Sequence, residues 1–194
     1  MKTTQRLFVA VPVPDAVARF LEKIRRQLQD AGMSIRWVPV KNIHLTLQFL
    51  GDVEKTAVAA ITRQMEAAVG AMTPFSMMAK GVGGFPNLRR FRVLWVGLTG
   101  DTRQLDAIQR LLASGLATVG FAEERRPFQP HLTIGRARQP MDGRRWGERL
   151  ATVADCASDP FRVDRIGLFA SALKPGGAEY TCLHTAHLAG ERHM

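Results

Sequence analysis

Two short stretches, HLTL at residues 44–47 and HLTI at residues 131–134, decide how this 194-residue chain is read. In an extended strand, residues i and i+2 point to one face and the residues between them to the other. His44 and Thr46 therefore share a face with Leu45 and Leu47 behind it, and His131 and Thr133 stand likewise in front of Leu132 and Ile134. A polar pair on an otherwise apolar strand is costly unless it is hydrogen-bonded or faces a wet cleft. From the chain's composition, chance supplies about one third of a His-x-Thr. Two are present, 87 residues apart.

Features around the motifs keep that spacing. Pro-Phe followed by a Gly six residues after the Phe occurs at Pro74-Phe75…Gly81 and at Pro160-Phe161…Gly167, 86 residues apart. Helix-capping aspartates at Asp15 and Asp101 are also 86 apart. The agreement predicts a duplicated unit of strand, helix, strand, helix and strand. The two copies make one domain over residues 1–194, with both histidines on a common cleft.

The elements follow from periodicity and breakers. Residues 7–12 read as a buried strand, and Asp15 as the cap of a helix over 16–29 with Val17, Phe20, Leu21, Ile24 and Leu28 inward. Gly32 stops that helix. Residues 35–38 and 43–50 read as strands with a turn at Gly51-Asp52, and 54–69 as a second helix. A strand begins at Phe75 and a Gly/Pro/Arg loop covers 81–90. The order then repeats: a strand over 92–98, and a helix over 103–119 with Leu105, Ile108, Leu111, Leu112 and Leu116 inward. A strand over 131–136 and a helix over 143–154 come next. Strands over 161–171 and 180–188, around a turn at 174–177, close the chain.

Composition narrows the partners. The chain carries 27 Lys+Arg against 17 Asp+Glu, a formal charge of +10, with 46% hydrophobic and 23% charged residues. That is a globular composition rather than a disordered one, and its charge favours nucleic acid, nucleotides or an anionic membrane. Cys156 and Cys182 are too few for a disulfide framework and form no CxxC pair, which reads as two structural thiols in a reducing compartment. Residues 7–13 are too short to span a membrane. They follow Lys2 and Arg6 as a secretory signal would, but Pro12 and Pro14 interrupt the run, so it reads as the first strand of a cytoplasmic protein.

Two histidines facing one cleft suit a reaction needing an acid and a base together, because imidazole titrates near neutrality. Thr46 and Thr133 can hold phosphate oxygens as neutral donors where charge accumulates. Arg136 can add a charge-assisted contact, but it lies an odd number of residues past His131, so a twist or bulge must redirect it. Metal binding is the rival, yet each strand offers a single His and no carboxylate or cysteine cluster accompanies it. His184 and His187 read as edge or surface residues, and His193 as part of the tail. Gly81-Val82-Gly83-Gly84 lacks the helix and Lys-Ser/Thr of a P-loop, and no G-x-S-x-G marks a serine nucleophile. Arg89, Arg90, Arg92, Arg125, Arg126, Arg136, Arg138, Arg144 and Arg145 form a ribbon around the motifs suited to a polyanion. Phe85, Trp37, Phe49 and Phe128 are candidates to stack on bases.

The paired HLTL and HLTI motifs resemble those of the two-histidine (2H) phosphoesterases. The nearest branch is the RNA 2′,3′-cyclic phosphodiesterases, also called 2′-5′ RNA ligases. RLFVAVPVP, RWVPVKNIHLTLQFLGDV, GGFPNLRRFRVLWVGL, RPFQPHLTIGR and GGAEYTCL carry the resemblance over nearly the whole chain. It implies a bilobal α+β fold, two antiparallel β-sheets lining a central cleft with helices outside. The implied activity is cofactor-free and metal-free hydrolysis of RNA 2′,3′-cyclic phosphate ends to 2′-phosphates; a repeat that builds its own two-sided cleft gives no reason to require a dimer, so a monomer is expected. It also implies His44 as the acid toward the leaving 3′ oxygen, His131 as the base for water, and Thr46, Thr133 and Arg136 as phosphate holders. Two other readings are an RNA-end- or nucleotide-binding module without turnover, and a phosphodiesterase or ligase acting on other nucleotides.

Overall fold

Residues 7–11 (LFVAV) are buried without interruption, as a strand covered on both faces must be. A computed structural model describes residues 4–122, 124, 126–175 and 177–189. In it this run lies in β1 (Thr4–Pro12), antiparallel to β3 (His44–Glu54) on one side and β8 (Arg165–Lys174) on the other. The remaining strands are β2 (Arg36–Trp37), β4 (Phe75–Asn87), β5 (Arg90–Gly100), β6 (His131–Asp142), β7 (Phe161–Val163) and β9 (Gly177–His187). The sheet order is β7-β4-β5-β6-β3-β1-β8-β9, with β2 paired to β6. The sheet is antiparallel and strongly curled into a half-barrel. The α+β class expected from the sequence holds. The two expected sheets are β3-β1-β8-β9 and β6-β5-β4-β7, joined where Leu45 stands opposite Leu132.

Among the described residues four α-helices cover the sheet: α1 (Asp15–Asp30), α2 (Val58–Val69), α3 (Thr102–Thr118) and α4 (Gly147–Ala154). In α1, Val17, Leu21, Ile24 and Leu28 are buried, and in α3, Leu105, Ile108, Leu112 and Leu116. Each such side chain contributes about 1.5–3 kcal/mol by leaving water. Leu111 was expected inward but is 51% exposed, because it stands roughly a quarter turn from the centre of that stripe. Among the described residues no helix is long and apolar enough to cross a membrane.

Several local expectations are corrected. Asp15 is the first residue of α1 rather than its cap, and Asp101 sits at the N-cap of α3 but bonds to that helix through its backbone carbonyl, not its side chain. Its carboxylate accepts from the Ser76 backbone N–H at 3.0 Å instead. Gly51, with φ 73°, lies within β3 opposite Leu7, just past a bulge at Leu50. The strand therefore runs on to Glu54, and α2 begins only at Val58 after a 3-10 turn. The expected loop over 81–90 is the hairpin of β4 and β5. Its glycines clear room for aromatic rings: a Cβ on Gly84 would meet Phe91 Cβ at 2.6 Å, and one on Gly83 would overlap the Trp95 ring. Residues 143–146 form a 3-10 turn before α4. The strand expected over 161–171 breaks at Asp164, and its two pieces go to different parts of the sheet, β7 beside β4 and β8 beside β1. Cys156 is half-buried, while Cys182 is an exposed thiol on the edge strand β9 rather than a structural one.

Gly143 ties the end of β6 to the β4–β5 hairpin. Its N–H donates to Arg89 O at 2.9 Å, and an added Cβ would overlap Leu88 O. Gly143→Ala is expected to cost about 1–3 kcal/mol, read as a Tm lower by several degrees. Gly147→Ala, where nothing lies within 4 Å of the new methyl, is expected to hold or raise Tm. Equal losses at both positions would overturn this packing account.

Candidate active site

The Leu45–Leu132 pairing brings the two motifs together in opposite directions. With both leucines in the core, at 2% and 0% exposure, alternation turns His44, Thr46, His131 and Thr133 to the other face. Each strand bulges at the last residue of its motif. On β3, Val9 pairs with Gln48 and Ala10 with Thr46, leaving Leu47 out; on β6, Leu94 pairs with Gly135 and Trp95 with Thr133, leaving Ile134 out. The second bulge is the redirection that Arg136 requires, and it turns that side chain onto the histidine face. His44, Thr46, His131, Thr133 and Arg136 all line one cavity of about 330 Å³.

Both imidazoles are held in the same way. His44 Nδ1 lies 2.8 Å from Asn42 O, and His131 Nδ1 lies 2.7 Å from Gln129 O. A carbonyl can only accept, so each Nδ1 carries the proton and donates it, leaving each Nε2 for the cavity. Aromatic rings fix the ring planes. Phe8 stacks on His44 at 4.5 Å and Tyr180 meets it edge-on at 5.3 Å, while Phe85 meets His131 edge-on at 4.9 Å and Trp95 lies 6.0 Å away. Burial pushes both histidines below the ordinary imidazole range; the carbonyl bonds oppose it, and the positive Arg136 adds to it. His44 is lowered further by His131 itself. At neutral pH the resting pair is therefore mostly uncharged, with two Nε2 lone pairs facing one space.

The cavity also contains residues that the sequence reading did not single out: Arg6, Phe8, Asn42, Ser171 and Tyr180. Asn42 holds His44 through its carbonyl and bonds Ala178 O through Nδ2 at 2.7 Å. One signal was available, because Phe8 lies 87 residues before Trp95, the same offset as the histidines. Of the expected stacking residues, Phe49 lines the cavity at 66% exposure. Phe85 packs on His131, and Trp37 and Phe128 pack against the core. His184 is an edge residue as expected, with Nε2 2.6 Å from Glu66 Oε1. Arg125 and His193 lie outside the described residues. Among the described residues, no carboxylate lines the cavity.

These electrostatics have a direct readout in solution. Both imidazoles are expected to titrate below the ordinary value of about 6.5 and to show the Nδ1–H tautomer by nitrogen NMR. Arg136→Gln is expected to raise both midpoints; midpoints at or above 6.5 in the unsubstituted protein would contradict the burial account.

Comparison with known proteins follows the same lines. The family model described as the 2′-5′ RNA ligase superfamily matches residues 13–174. A protein of Methanothermobacter thermautotrophicus named RNA 2′,3′-cyclic phosphodiesterase is 30% identical over 183 residues, 94% of this chain and 98% of its own. One of the same name from Thermotoga maritima is 32% identical over 185 residues, 95% of this chain and 96% of its own. E. coli LigT complexed with 3′-AMP superposes with a TM-score of 0.73 at 27% identity, covering 96% of this chain and 99% of that one. The chain belongs to the 2′-5′ RNA ligase superfamily, the two-histidine phosphoesterases that its paired His-Leu-Thr motifs resemble.

Proposed function

We propose that this protein is an RNA 2′,3′-cyclic phosphodiesterase that opens the cyclic phosphate to a 2′-phosphate, using His44 and His131 and no metal. The observation that carries the reading is the pair of Nδ1-anchored imidazoles facing one cavity beside two threonines and an arginine. The names of the relatives and the 3′-AMP bound to LigT support the substrate class. Both walls of the cavity come from one chain, which supports a monomer, and the free thiols Cys156 and Cys182 support a cytoplasmic setting. The duplicated unit, with its offset of 86–87 residues, supports one bilobal domain whose copies each supply one histidine.

In this mechanism Thr46, Thr133 and Arg136 hold the non-bridging oxygens and stabilise the charge that builds there. His131 Nε2 takes a proton from water as the water oxygen bonds to phosphorus. The phosphorus–O3′ bond breaks, and the Nε2–H of protonated His44 gives its proton to O3′. The products are a 2′-phosphate and a free 3′-hydroxyl, and the histidine pair resets by exchanging a proton with solvent. The assignment of acid and base follows the family resemblance.

Single His44→Ala and His131→Ala variants are expected to lose about 10²–10⁴-fold in kcat on a cyclic-phosphate-ended RNA, with thermal unfolding unchanged and EDTA without effect on the parent. Near-parental turnover in either variant, or loss with EDTA, would sink the mechanism. An aryl phosphodiester, whose leaving group needs no proton, is expected to rescue His44→Ala but not His131→Ala. The pH profile follows from the lowered titrations. The active form carries one proton on the pair, so kcat/KM is expected to be bell-shaped with its maximum below pH of about 6.5. Its alkaline limb is expected to move up in Arg136→Gln, and a rate rising steadily through pH of about 8 would contradict the shared proton.

A further inference from the structure

On the phosphodiesterase reading the end phosphate enters the cavity, and the chain leading to it must leave by one side, where the surroundings differ in charge. On the β6 side the register against β5 breaks. Val93 pairs with Arg136 and Phe91 with Met141, so two steps of β5 span five of β6. Residues 137–140 therefore arch outward, with Arg138, Gln139 and Pro140 exposed. Arg92 Nη2 donates to Arg138 O at 3.0 Å and holds the arch. Phe91 turns into the core at 0% exposure, leaving Arg90 and Arg92 exposed on either side of it, and Arg89 is exposed at the hairpin tip. The nearby Asp142 is already taken by Arg144, with two side-chain bonds of 3.0 Å.

The opposite rim is not cationic in this way. There Arg6 lines the cavity with Asp52 as its register partner on β3, and a Lys174–Glu179 ion pair of 2.6 Å stands next in sequence to the lining residues Leu173 and Ala178. At the 87-residue offset, Gly51 stands where β6 has Arg138. A shallow groove beyond Val38, between α1 and residues 37–40, carries Arg19, Arg25 and Arg26. Glu22 already engages Arg25 and Arg26, at 2.5 and 2.9 Å.

We propose that the single-stranded RNA leading to the terminal phosphate lies along the strip formed by Arg136, Arg138, Arg92, Arg90 and Arg89. The proposal rests on the phosphodiesterase reading for the end that enters the cavity. The strip is continuous with the cavity because Arg136 lines both. Gly97 stands opposite His131, Val93 opposite Arg136 and Arg90 opposite Asp142, so at roughly 3.3 Å per residue β5 runs about 23 Å from the histidine to the far end of the strip, the last roughly 10 Å along the arginines. That is room for a few nucleotides. A basic track with little aromatic surface reads backbone rather than sequence, so base preference along it is weak.

Binding tests the strip independently of turnover. Fluorescence anisotropy with a single-stranded RNA ending in a 2′-phosphate is compared with competition by 2′-AMP, which fills the cavity alone. In Arg89→Glu/Arg90→Glu/Arg138→Glu, Kd for the RNA is expected to rise at least about tenfold, and the slope of log Kd against log salt to fall by about 0.7 per arginine removed. The 2′-AMP affinity is expected to stay within about twofold. An Arg19→Glu/Lys23→Glu variant on α1, which removes basic charge away from the strip, is expected to bind both as the parent does. Parental RNA binding by the triple variant, an equal loss for RNA and 2′-AMP, or an equal loss in the α1 variant would each overturn the strip. Absence of turnover on a cyclic mononucleotide, with these binding differences intact, would instead remove the phosphodiesterase reading and leave the strip standing.

Discussion

The pairing of Leu45 with Leu132 is the constraint on which the rest of this molecule depends. It joins two antiparallel groups of strands into one sheet and sets the two motifs against each other. Burying the leucines puts the histidines and threonines on the far face, because side chains on a strand alternate. A one-residue slip of either strand would reverse that, sending His and Thr into the core and leucine into the cavity. Core packing and site geometry are thus one requirement. The hydrophobic free energy of the leucines holds the imidazoles in register.

The two halves share geometry but not chemistry. Bulges at Leu47 and Ile134 occupy matching places, and both histidines give Nδ1–H to the carbonyl two residues back. Beyond the bulges the side chains diverge: Phe49 on β3 corresponds in sequence offset to Arg136 on β6. One wall of the cavity therefore ends in an exposed aromatic ring and the other in a guanidinium. The positive charge of Arg136 lowers both imidazoles, a one-sided influence on an otherwise matched pair. An orientation for an asymmetric ligand is built in.

Most elements were legible in the sequence, and so were five of the residues that come together around the cavity. The strand around each motif, the helix stripes and the need for a bulge before Arg136 all follow from local periodicity. Legibility stopped where the deciding partner is distant along the chain. The glycines at 83 and 84 read as a loop because the Trp95 and Phe91 rings that require them are supplied by another strand. Gly51 read as a turn because its positive φ suits a turn or a bulge equally, and only pairing with β1 chooses between them. Phe8 and Tyr180 escaped notice as site residues because a buried aromatic on a strand looks the same whether it packs on leucine or on histidine.

By itself the sequence determined the repeated polar pair on an apolar strand, the helices and strands around it, and the cationic balance. Each is a matter of which residue types recur at which spacing. Only the tertiary structure decided that residues 161–163 and 165–174 part to serve different ends of the sheet. It alone decided which rings clamp each imidazole, and that arginines of β5 and β6 gather beyond one side of the cavity. Those are relations between residues far apart in the chain. Their energies come from desolvation and charge at short range, which exist only after the backbone has brought the groups together.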